Sequence, residues 1–384
     1  MLISTYKMEI IKNYLKYSLW LVLIVFAALF GLHWLPAITI DGHTMRRVDL
    51  LSDLRYPKQE VAVADSDTIP LPPVVKPVFV DTCRAGMTCI EDYGDSTRRG
   101  MASFYEALDR TSSSHPDHDG LVRIAVFGDS FIEADIFTAD LREMLQKRFG
   151  GCGVGFVTIT SMTSGYRPTV RHTFGGWSSH AVTDSVYFDK KKQGISGHYF
   201  IPREGAYVEL RGQSKYASLL DTCQQASIFF YNKDSVHLTA RVNRGESKNY
   251  SLAPSGDLQK ISVEGRIGSV RWTVDRADST LFYGLAMDGK KGIILDNFSL
   301  RGSSGLSLRG IPQQMLRQFN EQRPYDLIIL EYGLNVATER GHNYDNYQKG
   351  LLTSIEHLKN CFPQASILLL SCLLYTSPRP RDAS

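Results

Sequence analysis

Hydrophobic and polar positions follow two different regimes along this chain, and the regimes are nested. Over 120–165 the pattern is strand, turn, helix. Residues 121–127 form a β-branched apolar run of strand length, and Leu141, Leu145 and Phe149 recur at helical spacing. That predicts a helix over 138–149, ended by Gly150-Gly151. From 166 to 300 the runs shorten. Strand-like segments at 206–210, 226–231, 235–242, 269–274 and 280–286 are separated by Gly, Asn, Asp and Ser, with no convincing helix between them. This spacing predicts a β-sandwich or jelly roll. Over 301–371 helix and strand alternate again. Ile311, Met315 and Phe319 make one helical stripe, and Tyr347, Leu351, Ile355 and Leu358 make another. Both stripes read as core, and 325–332 and 365–371 read as buried strands. An all-β segment therefore interrupts an α/β domain whose first part is 120–165 and whose second part is 301–371.

The ends of the chain follow other patterns. Residues 1–17 carry Lys7, Lys12 and Lys16 against one acid, Glu9, and 18–38 are apolar apart from Ser18 and His33. About 20 apolar residues span a bilayer, and flanking lysines stay on the cytoplasmic side. The expectation is a cytoplasmic N-terminus, a single-pass anchor in the inner membrane and an exported remainder. Residues 39–119 read as a periplasmic linker and lead-in, rich in proline at first, with a short helix near 101–108. Residues 372–384 break the core pattern with two prolines and basic residues and read as a non-native tail.

Composition narrows the function classes. A net charge of +3 leaves no nucleic-acid footprint, and six cysteines are too few for a disulfide scaffold. Cys83 and Cys89 are close enough to pair in an exported setting, at even odds with unpaired thiols. No cysteine or histidine spacing supports a metal site, and His115 and His118 sit in a polar, loop-like stretch. No cofactor is implied.

The chemistry-bearing residues cluster at predicted strand ends. Phe127-Gly128-Asp129-Ser130 closes the first strand, so Ser130 lies on a strand-to-helix turn at the sheet edge where open α/β folds place ligands. Asp296 to Gly305 reads as a strand followed by a loop carrying Gly302 and Gly305, and the strand over 325–332 ends in Gly333-Leu334-Asn335. Acyl transfer needs a nucleophile and hydrogen-bond donors for the developing oxyanion. Ser130, the amides of Ser130 and Gly305 (or Gly302), and the Asn335 side chain would supply them, while Asp129 braces the turn through local hydrogen bonds.

On these motifs the chain resembles the SGNH (GDSL-like) hydrolase family. Gly128-Asp129-Ser130 matches its first block, Gly305 or Gly302 its second, and Gly333-Leu334-Asn335 its third. The run Gly128-Asp-Ser-Phe-Ile-Glu-Ala-Asp-Ile-Phe-Thr138 looks like the peptidoglycan O-acetylesterase branch, with Phe131 where histidine is usual and Val336 where an acid is common. The resemblance implies an SGNH-type three-layer α/β/α sandwich with a parallel sheet, interrupted by a jelly-roll-like insertion similar to a carbohydrate-binding module. Tyr166, Trp177, Tyr199, Tyr207 and Trp272 fall in that insertion; any of them could stack on sugars, although core packing is favoured for each one.

The family's fourth block, an Asp-x-x-His that supplies the base and its orienting acid, is absent. After Asn335 the histidines are His342 and His357, preceded three residues earlier by Glu339 and Ser354. The chain is read as truncated rather than as a homologue that lost its base, and as nearly inactive in this form. The implied activity is removal of O-acetyl groups from a cell-wall or extracellular polysaccharide, peptidoglycan among the candidates. Two alternatives stay open: an O-acetyltransferase using the same acyl-serine, and a non-catalytic glycan-binding envelope protein.

Overall fold

The computed structural model divides the chain into two units, residues 1–82 with 375–384, and residues 83–374. It describes residues 16–27, 30–31, 39–40, 43–44, 90, 100–111, 120–184, 188–337 and 343–371. In the first unit 16–27 and 30–31 are helical, and Thr39–Ile40 pairs with His43–Thr44 in a small antiparallel hairpin. Among the described residues no helix is long and apolar enough to cross a membrane. The expected span over 18–38 lies partly outside them, and Cys83, Cys89, His115, His118, His342 and residues 372–384 lie wholly outside.

The second unit combines a parallel sheet with a large, curled antiparallel one. The parallel sheet has four strands: β1 (Leu121–Gly128), β11 (Gly292–Ser299), β12 (Leu327–Tyr332) and β13 (Ser366–Ser371), in the order β11-β1-β12-β13. Its strands read as near-continuous apolar runs because both faces are covered. On one face α1 (Ala102–Asp109) and α2 (Thr138–Phe149) pack over Val122, Ile124, Val126, Ile293, Leu295, Leu327 and Ile329. On the other, α3 (Gln313–Gln322) and α4 (Asp345–Cys361) contribute Met315, Leu316, Phe319 and Leu358 to a cluster with Ala125, Phe127, Ile328 and Leu330. Phe319 is fully buried there, which stabilises the fold by roughly 1.5–3 kcal/mol.

Nine strands make the antiparallel sheet, all of them between β1 and β11 in sequence. They are β2 (Gly155–Val157), β3 (Val170–Ala181), β4 (His198–Gly212), β5 (Cys223–Asn232), β6 (Val236–Val242), β7 (Ser247–Leu252), β8 (Leu258–Ile267), β9 (Ser269–Ala277) and β10 (Thr280–Asp288). The path is β8-β5-β10-β4-β9-β6-β7, with β2 on β10 and β3 on β4. Strands from the whole path bury side chains in one cluster around Trp272, Phe200, Phe230 and Phe282, so the sheet curls about its own core.

Sheet membership departs from the expected borders at 165 and 300. β2 joins the antiparallel sheet, and β11 pairs with β1 along its whole length, from Gly292 opposite Leu121 to Ser299 opposite Gly128. β2, β3, β7 and β8 escaped the sequence pattern. β3 carries Gly175-Gly176 and a bulge between Gly175 and Trp177, β7 is a polar edge strand, and β8 breaks register after Glu264.

A buried ionic cluster ties the two sheets together. Arg323, just after α3, donates to Asp288 at the end of β10 (2.5 and 2.9 Å) and to Asp296 in β11 (2.5 and 2.7 Å). Tyr325 Oη donates to Asp296 at 2.6 Å, and the Phe156 amide of β2 donates to it at 2.7 Å. Burial alone would raise the Asp296 pKa, but Arg323 beside it holds the carboxyl below the usual range.

Candidate active site

Register places the three candidate segments at one edge. Gly128 of β1 stands opposite both Ser299 of β11 and Glu331 of β12. The loops that follow these strands carry Ser130, Gly302 with Gly305, and Gly333 with Asn335, at the C-terminal edge of the parallel sheet.

Hydrogen bonds join those loops. Asp129 is fully buried; its Oδ1 accepts the Phe131 amide at 2.8 Å, which closes a tight turn around Ser130. Its Oδ2 accepts from Asn335 Nδ2 at 2.9 Å, and the same Nδ2 donates to the Ser303 carbonyl at 2.9 Å. Asp129 and Asn335 thus tie together three segments far apart in sequence. Both amide hydrogens of Asn335 are engaged, so an oxyanion would compete with Asp129 or Ser303 for one of them.

The two glycines of the second loop differ. Gly305 has φ +82°, and a Cβ there would stand 2.7 Å from Cδ2 of Tyr332, so both conformation and space demand glycine. Gly302 also has a positive φ, +74°, but open space around it. The Gly305 amide donates to Ser303 Oγ at 3.2 Å. Helix α4 holds this loop from behind: buried Ser354 Oγ donates to the Gly305 carbonyl at 3.1 Å, and Tyr347 Oη to the Ser304 carbonyl at 3.0 Å. Gly333, at φ +138°, starts the third loop, and its carbonyl accepts the amides of Val336 (3.0 Å) and Ala337 (2.9 Å).

Sequence reasoning missed two buried acids beside Ser130. Asp135 follows a kinked turn in which Ala134 and Asp135 have φ of 55° and 62°. It is fully buried and receives Arg142 (3.2 Å), Arg167 (2.8 Å), Thr138 (2.8 Å), Asn297 (2.9 Å) and Thr169. Burial works to raise its pKa, yet Arg142 and Arg167 hold the carboxyl far below the ordinary range. The cluster clamps the segment after Ser130 against β11, where Asn297 also donates to the Ile132 carbonyl at 2.6 Å. Asp135 and Thr138 were visible only as part of the quoted first-block run.

Glu331 is the second. It is 1 % exposed, it is next to last in a strand that otherwise reads as apolar, and neither carboxyl oxygen meets a well-formed hydrogen bond among the described residues. Burial, then the Asp129 carboxylate, push its pKa up to about 7. A Cβ on Gly128 would lie 3.0 Å from Glu331 Oε2 and 2.9 Å from Ile132 Cδ1. The bare backbone of Gly128 lets both side chains close under the Ser130 turn. A lone acid inside an apolar run was the available signal.

The described histidines are engaged elsewhere. His357 on α4 donates Nε2–H to the Ile311 carbonyl at 2.8 Å, and His172 meets the Ile159 carbonyl at 3.0 Å, its pKa lowered by burial to about 4. His198, bonded through Nδ1 to the Ser196 carbonyl at 2.8 Å, lines a cleft next to the Ser130 turn. That cleft, of about 590 Å3, also takes in Glu133, Arg167, Ser299 and Arg301, so it is polar and bears charge of both signs. Of the five aromatic residues considered for stacking, Trp272 and Tyr199 are core, Trp177 packs on the core, Tyr207 lies under Arg271, and Tyr166 is 84 % exposed. Among the described residues no group of three acidic, histidine or cysteine side chains could hold a metal ion.

No protein-family model matches the chain, and no curated protein does. Among solved structures it is similar to one described as a peptidoglycan O-acetylesterase in action, with a TM-score of 0.57 and 19 % identity over 73 % of each chain. A family two carbohydrate esterase from Cellvibrio japonicus matches 56 % of this chain and 77 % of its own at 10 % identity, with a TM-score of only 0.22. A variant of a family 29 carbohydrate-binding module matches 36 % of this chain and 93 % of its own at 12 % identity, also at 0.22. Of these three, the first is close enough to count as a likeness of fold.

Proposed function

We propose that this protein is a carbohydrate esterase of the SGNH type that removes O-acetyl groups from a cell-wall or extracellular polysaccharide through Ser130. The observation that carries the reading is the Asp129–Asn335–Ser303 connection, which gathers three distant loops around the Ser130 turn at one sheet edge. The fold likeness to a structure described as a peptidoglycan O-acetylesterase supports it.

In this reading Ser130 Oγ attacks the acetyl carbonyl carbon. The sugar oxygen departs with a proton, and water then attacks the acetyl-serine to release acetate. The Ser130 amide, the Gly305 amide (or that of Gly302) and Asn335 would hold the oxyanion, with the Gly305 amide and Asn335 exchanging a present partner for the substrate oxygen. The polar cleft bordered by Glu133 and Arg301 is suited to a sugar rich in hydroxyl groups. Ser130 needs a general base, for which an Asp-x-x-His block of the SGNH kind is the expected source. The Lys-flanked apolar run over 18–38 supports export and anchoring in the inner membrane, as a further part of the same proposal.

The test is acetate release from an O-acetylated polysaccharide with imidazole supplied as a diffusible base. Release by the wild-type chain should exceed that of Ser130→Ala by about tenfold or more. The second reading is a glycan-binding protein without catalysis, and equal release by the two proteins would select it.

A further inference from the structure

A second cleft, of about 590 Å3, opens between the antiparallel sheet and the start of α3. It shares no lining residue with the Ser130 turn, the Gly302–Gly305 loop, Asn335 or the Glu133–Arg301 cleft. Its volume lies in the roughly 300–1,000 Å3 range of small-molecule sites.

The lining has an unusual charge. Lys191 and Lys192, on a short turn of helix, and Lys233, after β5, meet at the cleft with Asp189 as the acid among them. Asp189 stands 3.7 Å from Lys192 and leaves Lys191 and Lys233 without an ion pair among the described residues. Three cations against one anion on a single concave wall repel one another, an arrangement relieved by a bound anion. The lysines alone would be an ordinary solvated edge.

A second observation points inward. Tyr283, on β10, is 1 % exposed and lines the cleft, and its hydroxyl has no hydrogen-bond partner among the described residues. A buried hydroxyl without a partner is destabilising, so a ligand that hydrogen-bonds it gains affinity. Burial, then the neighbouring Tyr231, push the Tyr283 pKa up, so the group stays a neutral donor. Tyr231 also lines the cleft, beside the side chain of Gln314. Cations at the rim, phenol rings on the wall and a buried hydroxyl inside suit a polyhydroxylated ring that carries an acidic substituent.

We infer that the cleft formed by Lys191, Lys233, Tyr231 and Tyr283 is a second saccharide site, specific for sugars that bear a carboxylate or phosphate. It would hold an acidic stretch of polysaccharide independently of any reaction at Ser130. The inference goes beyond the esterase reading and does not require it.

Calorimetric titration of the full chain with tetragalacturonate, its methyl ester, galactose 6-phosphate and inorganic phosphate tests it. Saturable binding of tetragalacturonate or galactose 6-phosphate is expected, and which of the two binds tighter identifies the acidic substituent. Affinity should be unchanged in Ser130→Ala, lower by roughly tenfold or more in the Lys191→Gln/Lys233→Gln double variant, and lower by roughly three- to tenfold in Tyr283→Phe. Thermal melting of each variant separates lost binding from lost folding, and the exposed lysines keep the double variant informative. Equal affinity for the neutral methyl ester, inorganic phosphate binding as tightly as either sugar, or full affinity in the double variant would overturn the assignment, as would no binding at all. Loss of esterase activity in Ser130→Ala with this binding intact would separate the two sites, and failure of the esterase reading would leave this result standing.

Discussion

At the scale of single residues, Glu331 is the most sensitive reporter of the candidate site. A buried carboxyl with a pKa of about 7, against a reference of 4.5, binds its proton more tightly in the native state than in the unfolded chain. Stability therefore falls as pH rises from about 4.5 to 7, and the full penalty, about 3 kcal/mol, is present above 7. Glu331→Gln should raise the urea midpoint at pH 8 and leave it nearly unchanged at pH 4.5. An equal rise at both pH values would contradict this. Asn335 bears on chemistry instead. Asn335→Ala should slow acyl transfer by roughly 10²–10³ if its amide meets the oxyanion, with a smaller change in KM, because that contact strengthens as charge develops. Single-turnover and steady-state kinetics on an aryl acetate with imidazole would read the two separately, and a change in KM alone would remove Asn335 from the oxyanion role.

At the scale of elements, the turn after Ser130 depends on charges held in the core. Asp135→Asn would leave Arg142, fully buried, without its anion. That should cost about 3–5 kcal/mol, read from the denaturant midpoint. The native Asp135 carboxyl is depressed, so its stabilisation is fully present above pH 4 and is lost only as pH falls below the reference of 3.8. A variant with unchanged stability at pH 7 would show that the cluster is not holding the turn.

This is also the scale at which the sequence was most and least legible. The helix over 138–149 and the strand from Leu121 were readable because one face or both faces are apolar at a fixed period, and the structure has them as Thr138–Phe149 and Leu121–Gly128. β3 and β7 were not, because glycines, a bulge and an edge position remove the alternation on which such reading depends. Within the site, Ser130, Gly305 and Asn335 stood out as strand-end residues. The partners of Asp129 and Asn335 did not, since hydrogen bonds spanning 206 and 32 positions leave no local trace.

At the scale of the whole molecule, two sheets share one chain, and Arg323 bridges them through Asp288 and Asp296. The anchor is a prediction of this scale. A reporter fused after residue 60 should be active only outside the cytoplasm, and activity inside, or release of the protein by a salt wash, would contradict a spanning segment. The central claim, that Ser130 accepts an acyl group, is tested most directly by mass spectrometry of the chain after exposure to an activated aryl acetate with imidazole. Acid quenching within the first turnover stops deacylation, so acetyl-serine should be trapped. Peptide mapping should place one acetyl group on Ser130, absent from Ser130→Ala and from protein unfolded before exposure. Acetyl groups on surface lysines with none on Ser130, or the same labelling pattern in Ser130→Ala, would contradict the assignment of the nucleophile.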